Sequence, residues 1–360
     1  MAGNVREWCY NPSGDERYSL GGDWDDTPYY FLQPTVQSPW ERSDGNGFRC
    51  AYYPECTKVP ASLLHECIQG SYEYVNDPPV SDEMLKIFTN MAAYERTPLN
   101  PVIESTQKNK NGWTSETVTI DAAYGSERII LHLDIPIDGN PPYKVVIYFP
   151  GLYTMMSNFY SREPHYEPWD FIPKSGRVFV TPVCSGWWER GGGPSIARWY
   201  NTHSVQKMFT EWVQDLGRTI DYLETRPDID SEKVAYLGFS MGALVAPYMI
   251  VGEKRIRTAI LISGGMGYDI GKFENDNIPR LNSYLPRVKI PILMLNGKYD
   301  YTFPFEKTQK PFFNLLGTPL EHKRHVVYEA GHSPLPRVEL IKETLAWLDK
   351  YQGPVGKKPD

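Results

Sequence analysis

Five short apolar runs, each closed by a turn signal, constrain this chain more than any other feature. They lie at 144–149, 177–182, 234–238, 258–262 and 292–296. Continuous runs of this length suit strands covered on both faces, as in a parallel sheet. Ahead of them, 117–121 and 128–133 read as two strands around the turn Tyr124-Gly125-Ser126. A last strand is expected at 325–328, before a closing helix from about 336 to 350. Between the strands, Val205, Met208, Phe209, Trp212, Val213, Leu216, Ile220 and Leu223 mark one helical face at three- and four-residue steps. That helix must stop before Arg226-Pro227, because the residue preceding proline disfavours the α conformation. Strands alternating with helices predict an α/β fold with a mostly parallel central sheet and helices on both faces.

The front of the chain has a different composition. Residues 1–56 are rich in Gly, Asp, Trp, Tyr and Arg and poor in aliphatic residues, so they should form a loop-rich extension that leans on a neighbour. Residues 57–115 read as a connecting segment packed on the main domain, which is expected to span 116–353. Within the connector, Ser81 suits a helix N-cap, with Met84, Leu85, Ile87 and Phe88 as the apolar face. The polar run 107–112 lacks periodicity and reads as a loop.

With 41% hydrophobic and 22% charged residues, the chain is ordinary for a folded protein. Its 25 Tyr and 10 Trp are either packing residues or the lining of an aromatic cleft. A net charge of −7 without a Lys/Arg block argues against nucleic acid or an anionic membrane as partner. No apolar stretch approaches the roughly 18 residues of a membrane span. The polar start Met1-Ala2-Gly3-Asn4-Val5-Arg6-Glu7-Trp8 lacks the core of a signal peptide, so a cytoplasmic location is expected. Five cysteines, at 9, 50, 56, 67 and 184, make a poor disulfide framework. Reduced thiols are expected, with Cys56–Cys67 as the one open pairing.

Chemistry enters at Gly238-Phe239-Ser240-Met241-Gly242, between an apolar strand and the helix-forming Ala243-Leu244-Val245-Ala246. A nucleophile on a strand-to-helix turn needs small residues two before and two after it, so that the chains pass closely and the hydroxyl stays exposed. This setting goes with the chain order serine, acid, histidine. Of seven histidines only His322, His325 and His332 follow Ser240. His322 sits in a charged run and His325 begins a strand. His332 follows that strand on the loop Glu329-Ala330-Gly331-His332-Ser333-Pro334 and is the expected base. Asp300, in Gly297-Lys298-Tyr299-Asp300 after the 292–296 strand, is the expected acid, with Asp269, Asp276 and Glu306 as rivals. The oxyanion of an acyl-transfer intermediate needs preorganised donors. The Met241 N–H is one, and Leu152 or Tyr153 in Pro150-Gly151-Leu152-Tyr153 supplies the other.

These stretches resemble the α/β-hydrolase superfamily. They are most similar to the dienelactone-hydrolase and acetyl-xylan-esterase-like domains appended to some bacterial serine/threonine kinases. The resemblance rests on 141–151, on Asp215-Leu216-Gly217-Arg218-Thr219-Ile220-Asp221-Tyr222-Leu223 and on the Ser240 motif, and covers about 80–351. It implies a bacterial esterase with no cofactor. Separately, 1–8, Leu20-Gly21-Gly22-Asp23-Trp24 and Asn46-Gly47-Phe48-Arg49-Cys50-Ala51 are similar to the C-terminal end of formylglycine-generating-enzyme (sulfatase-modifying-factor) domains. Only residues 1–52 take part, and the paired cysteines of the true enzymes have no counterpart, so no catalytic residue is carried over; the segment resembles a remnant of a longer multidomain protein, expected to pack against the hydrolase.

The reading is a serine carboxylesterase acting on a small-molecule ester with a short acyl group or an aromatic or sugar alcohol; a homodimer is compatible with it. Only about 25–30 residues separate the 258–262 and 292–296 strands, which predicts a small lid. Gly151, Trp187 and Trp188 are expected to border the substrate, with the two tryptophans either stacking on it or packing their loop. Two other classes use the same residues differently. A prolyl-oligopeptidase-like peptidase would cleave aminoacyl anilides in preference to esters, and a non-catalytic interaction domain would turn over neither.

Overall fold

All five apolar runs become strands of one nine-stranded sheet. The computed structural model describes residues 3–24, 26, 31, 34–54, 60–65, 73–160, 169–191, 202–267 and 279–355, and the structural statements below concern those residues. The chain opens with β1 (Arg6–Ser13), β2 (Glu16–Leu20), β3 (Thr35–Gln37) and β4 (Asn46–Gly47), then α1 (Asp82–Asn90). Next come β5 (Val102–Asn109), β6 (Trp113–Asp121), β7 (Arg128–Pro136) and β8 (Tyr143–Phe149). They are followed by α2 (Phe171–Lys174), β9 (Val178–Val183), α3 (Thr202–Glu224), β10 (Ile229–Phe239) and α4 (Met241–Gly252). The remainder is β11 (Ile256–Ile262), α5 (Leu281–Tyr284), β12 (Ile292–Gly297), α6 (Lys310–Leu315), β13 (Lys323–Tyr328) and α7 (Arg337–Gln352).

The large sheet has the order β13-β12-β11-β10-β8-β9-β7-β6-β5. The six strands from β8 to β13 run parallel, while β7, β6 and β5 add an antiparallel edge. From β8 the chain steps to β9 on one side and then to β10 on the other, which makes β8 a topological switch point. Crevices outside the carboxyl ends of strands form at such points.

Alternate residues of the parallel strands supply two cores. Val145, Ile147, Phe149, Val234 and Tyr236 pack with Trp212, Leu216 and Ile220 of α3 and with Ala243 and Ala246 of α4. Val146, Tyr148, Ala235, Leu237, Ile260 and Leu293 face the other way, onto Phe171, Ile172, Trp347 and Leu348 of α2 and α7. Each fully buried aliphatic side chain contributes roughly 1.5–3 kcal/mol. Burial on both faces is why these strands show no alternation.

Two local expectations need correction. The run 107–112 is a loop only in part, because β5 carries pairing through Asn109, opposite Trp113. β5 is an exposed edge strand with no apolar face to betray it. It and the start of β6 also extend the main sheet ahead of residue 116. Helix α1 is capped by Ser81, whose hydroxyl accepts the Met84 N–H at 3.2 Å, but only Leu85 of its apolar residues is buried. The loop-rich extension before residue 56 also carries a small sheet, β1 to β4 in the order β3-β2-β1-β4.

Among the described residues, Cys50 and Cys184 are free thiols. Cys56 and Cys67 lie outside the described residues, as do Asp269 and Asp276. No described helix is long and apolar enough to cross a membrane.

Candidate active site

Ser240 follows β10 and caps α4 with φ 50° and ψ −107°, a conformation that non-glycine residues rarely adopt. Such strain persists only where the surroundings over-determine it. Here the Ser240 N–H donates to the Ile262 carbonyl at 2.9 Å, and the Gly242 N–H donates to the Pro150 carbonyl at 3.0 Å. The motif glycines are required sterically. A Cβ at Gly242 would lie 1.9 Å from the Phe149 carbonyl oxygen, and one at Gly238 would lie 2.5 Å from that of Gly242.

His332 and Asp300 reach this turn from loops after β13 and β12. His332 Nε2 lies 2.9 Å from Ser240 Oγ, and His332 Nδ1 lies 2.8 Å from Asp300 Oδ2. A carboxylate can only accept, so Nδ1 carries the proton and Nε2 is left to receive that of Ser240. The Asp300 side chain is fully buried, and its Oδ1 accepts the Phe303 N–H at 2.9 Å. The imidazole has the rings of Phe239 and Phe303 as neighbours, with centroids at 5.8 and 5.9 Å. The rival residues are engaged elsewhere: Glu306 pairs with Lys310 on the surface, His322 meets Tyr351, and His325 meets Asn296.

The Met241 N–H opens α4, so no intrahelical carbonyl is available to it. Gly151, buried and extended, caps a 3₁₀ turn over Leu152–Met155, and its carbonyl accepts both the N–H and the hydroxyl of Thr154. Leu152 and Tyr153 thus occupy the first turn of that helix, half-buried, beside the end of β10. A Cβ on Gly151 would crowd Tyr153 and Phe239 at 3.2 and 3.3 Å, so the loop lies flat against the nucleophile turn.

Trp187 and Trp188 lie in the core, with 0% and 2% exposure. Trp187 meets Phe149 and Trp212 edge-on at 5.2 Å, and Trp188 meets Tyr160 edge-on at 5.0 Å. Of the two roles open to them in the sequence, this is loop packing.

Several supporting residues carry no motif and escaped sequence reasoning. Ser263, fully buried with φ 50°, donates its hydroxyl to the His332 carbonyl at 2.7 Å. Its N–H donates to the Leu295 carbonyl at 2.8 Å. Gln309 Nε2 donates to the carbonyls of Gly297 and Phe303 at 2.8 and 2.7 Å, on either side of Asp300. The loop carrying Trp187 is anchored by Asp215 of α3, which accepts from Arg190 at 2.7 Å, from Tyr124 at 2.9 Å and from the Ser185 N–H at 2.9 Å. Burial pushes the Asp215 carboxyl up while the Arg190 guanidinium opposes it. Asp215 heads one of the stretches that carry the resemblance, but nothing in the sequence joins it to Arg190 or Tyr124.

A mostly parallel sheet with a serine on the strand-to-helix turn, and a histidine and an acid converging at the same sheet end, defines an α/β-hydrolase. The profile of the dienelactone hydrolase family matches residues 151–338. The chain belongs to that family and is a carboxylic ester hydrolase. Its fold is similar to acetyl xylan esterase 1 from Thermoanaerobacterium sp. JW/SL YS485 (TM-score 0.59, 15% identity, 78% of this chain and 97% of that one). It is also similar to an acetyl xylan esterase from Paenibacillus sp. R4 (TM-score 0.57, 17% identity, 78% and 99%). A third similar structure is a glucuronoyl esterase from Solibacter usitatus (TM-score 0.50, 14% identity, 79% and 94%). No curated protein sequence matches the chain.

Proposed function

We propose that this chain is a serine carboxylesterase with Ser240 as nucleophile, His332 as general base and acid, and Asp300 as the carboxylate that orients His332. The observation that carries the reading is the unbroken hydrogen-bonded row from Ser240 Oγ through His332 to the buried Asp300. In acylation the Ser240 proton passes to His332 Nε2 as Oγ bonds to the ester carbonyl carbon. The oxyanion takes the N–H of Met241 and that of Leu152 or Tyr153. The carbon–alkoxy bond then breaks, and the alkoxide leaves with the proton from Nε2. Water repeats the sequence, giving its proton to Nε2 and its oxygen to the acyl carbon, and the acid is released as Ser240 regains its proton.

Esters with short acyl groups are the substrate class. Two things favour them: Trp187, Trp188 and Tyr153 fill the space beside the Gly151 loop with packing, and two structures sharing the fold are named acetyl xylan esterases. Residues 116–353, with β5 and the start of β6, form the catalytic domain. Residues 57–115 connect to it, partly through Arg218, whose guanidinium donates to the carbonyls of Thr97 and Pro98. Residues 1–56 form an appended segment.

A p-nitrophenyl ester series from acetate to octanoate, run with wild type and Ser240→Ala, tests both parts. Expected are kcat/KM highest at acetate or propionate, falling at least tenfold by octanoate, and loss of turnover in the variant by a factor on the order of 10⁴ or more. A maximum at octanoate would overturn the acyl preference, and turnover in the variant within roughly a hundredfold of wild type would overturn the nucleophile.

A further inference from the structure

The loops carrying Asp300 and His332 are joined to each other. The Tyr299 N–H donates to the Ala330 carbonyl at 3.0 Å and the Lys298 N–H to that of Tyr328 at 2.8 Å. A Cβ at Gly297 would lie 1.9 Å from the Gly331 carbonyl oxygen, so the two backbones are in closest contact just before the two functional side chains. Their outer side is met by the amino-terminal sheet. Tyr18 of β2 and Val36 of β3 are opposite one another in register, and both are buried, at 4% and 6% exposure. The Tyr18 ring stands edge-on to Tyr301, the residue after Asp300, with centroids 4.9 Å apart. The Val36 carbonyl oxygen lies 3.7 Å from the position a Cβ would take on Gly331, the residue before His332. Glu16 lies two residues before Tyr18 on the same strand, also buried, within electrostatic reach of Glu329 and Lys298. One cross-strand pair of the small sheet therefore touches the immediate neighbours of both Asp300 and His332.

We propose that the amino-terminal sheet is a support for the acid and histidine loops, and that Tyr18 is a positioning residue holding Tyr301, and with it Asp300, in register with His332. This rests on the Ser240–His332–Asp300 reading. The physical case has two sides. A sheet with strands of 8, 5, 3 and 2 residues is too small to stand without a packed face, and the hydrolase supplies one. In return, loops are the most mobile parts of a fold, and a displacement of about 1 Å in a reacting group can cost on the order of a hundredfold in rate.

The test compares Tyr18→Phe, Tyr18→Leu and Tyr18→Ala with wild type and Ser240→Ala in the full chain. Turnover of p-nitrophenyl acetate, the second-order rate of fluorophosphonate labelling and thermal unfolding are measured together. Tyr18→Phe keeps the edge contact and should match wild type. Tyr18→Leu and Tyr18→Ala should lose roughly tenfold in kcat and in labelling rate, with KM within twofold and a cooperative unfolding transition retained. Folded Tyr18→Leu with wild-type kcat and labelling rate would overturn the inference, as would a loss that Tyr18→Phe shares. Activity in Ser240→Ala would instead sink the underlying triad, so the two failures are told apart.

Discussion

Ser263 shows how a residue outside any motif can matter as much as one inside it. It holds a strained backbone at φ 50°, is fully buried, and spends its hydroxyl on the carbonyl of His332. The residue before it, Ile262, accepts the N–H of Ser240, so the end of β11 ties the serine and the histidine to the same two residues. Removing the hydroxyl takes a hydrogen bond from the partly buried His332 carbonyl, at a cost of about 1 kcal/mol. Ser263→Ala is therefore expected to lower kcat for p-nitrophenyl acetate by roughly fivefold with KM unchanged, since the contact acts on the base and not on substrate binding. Steady-state kinetics on the folded variant checks this, and a rise in KM at constant kcat would contradict it. Sequence reasoning reached Ser240, His332 and Asp300 because each follows an apolar strand in a fixed order. Ser263 and Gln309 follow the same strands, but their partners are backbone carbonyls, which leave no trace in residue type.

At the scale of elements, the strands buried on both faces were legible and the edge was not. β8 to β12 announce themselves as apolar runs because both faces are covered, whereas β5 shows only solvent-facing side chains and reads as a loop. The tryptophans after β9 were ambiguous for a related reason: a loop that packs into the core has the composition of a binding loop. Arg190, Asp215 and Tyr124 decide the matter by fastening that loop to α3 and to the β6–β7 turn. A buried pair of this kind is weak evidence of net stability, but losing one partner is costly.

β13 carries a pH dependence of its own. His325 is packed against Phe305 and Phe313 and donates from Nε2 to Asn296 Oδ1 at 3.1 Å. Burial pushes its imidazole down to about 4. The unfolded chain, near 6.5, then binds a proton that the folded chain does not, so stability rises with pH between about 4 and 6.5 and is lost as pH falls through that window. The ceiling is roughly 3 kcal/mol, lowered by the partial exposure of the residue. Urea unfolding of wild type and His325→Gln at pH 7 and pH 5 should show wild type losing more stability between the two. Equal losses would contradict the assignment.

Across the whole molecule, three parts of the fold meet around the Ser240 turn. The switch at β8 brings the Gly151 loop, the Trp187 loop and the Ser240 turn to the same end of the sheet. The ends of β11, β12 and β13 carry the residues that fix the histidine and the acid, and the amino-terminal sheet closes over the outer side of those loops. The last of these relations was legible only in outline: residues 1–56 read as packed against the hydrolase, but nothing in their composition says which loops they meet. The account stands on Ser240 forming a covalent bond to the acyl group. Peptide-level mass spectrometry after brief reaction with a fluorophosphonate measures this most directly. A single adduct is expected on the peptide containing Gly238-Phe239-Ser240-Met241-Gly242, absent from Ser240→Ala and slowed in Asp300→Asn; an unmodified Ser240 peptide in an enzyme that still hydrolyses p-nitrophenyl acetate would contradict the assignment of Ser240.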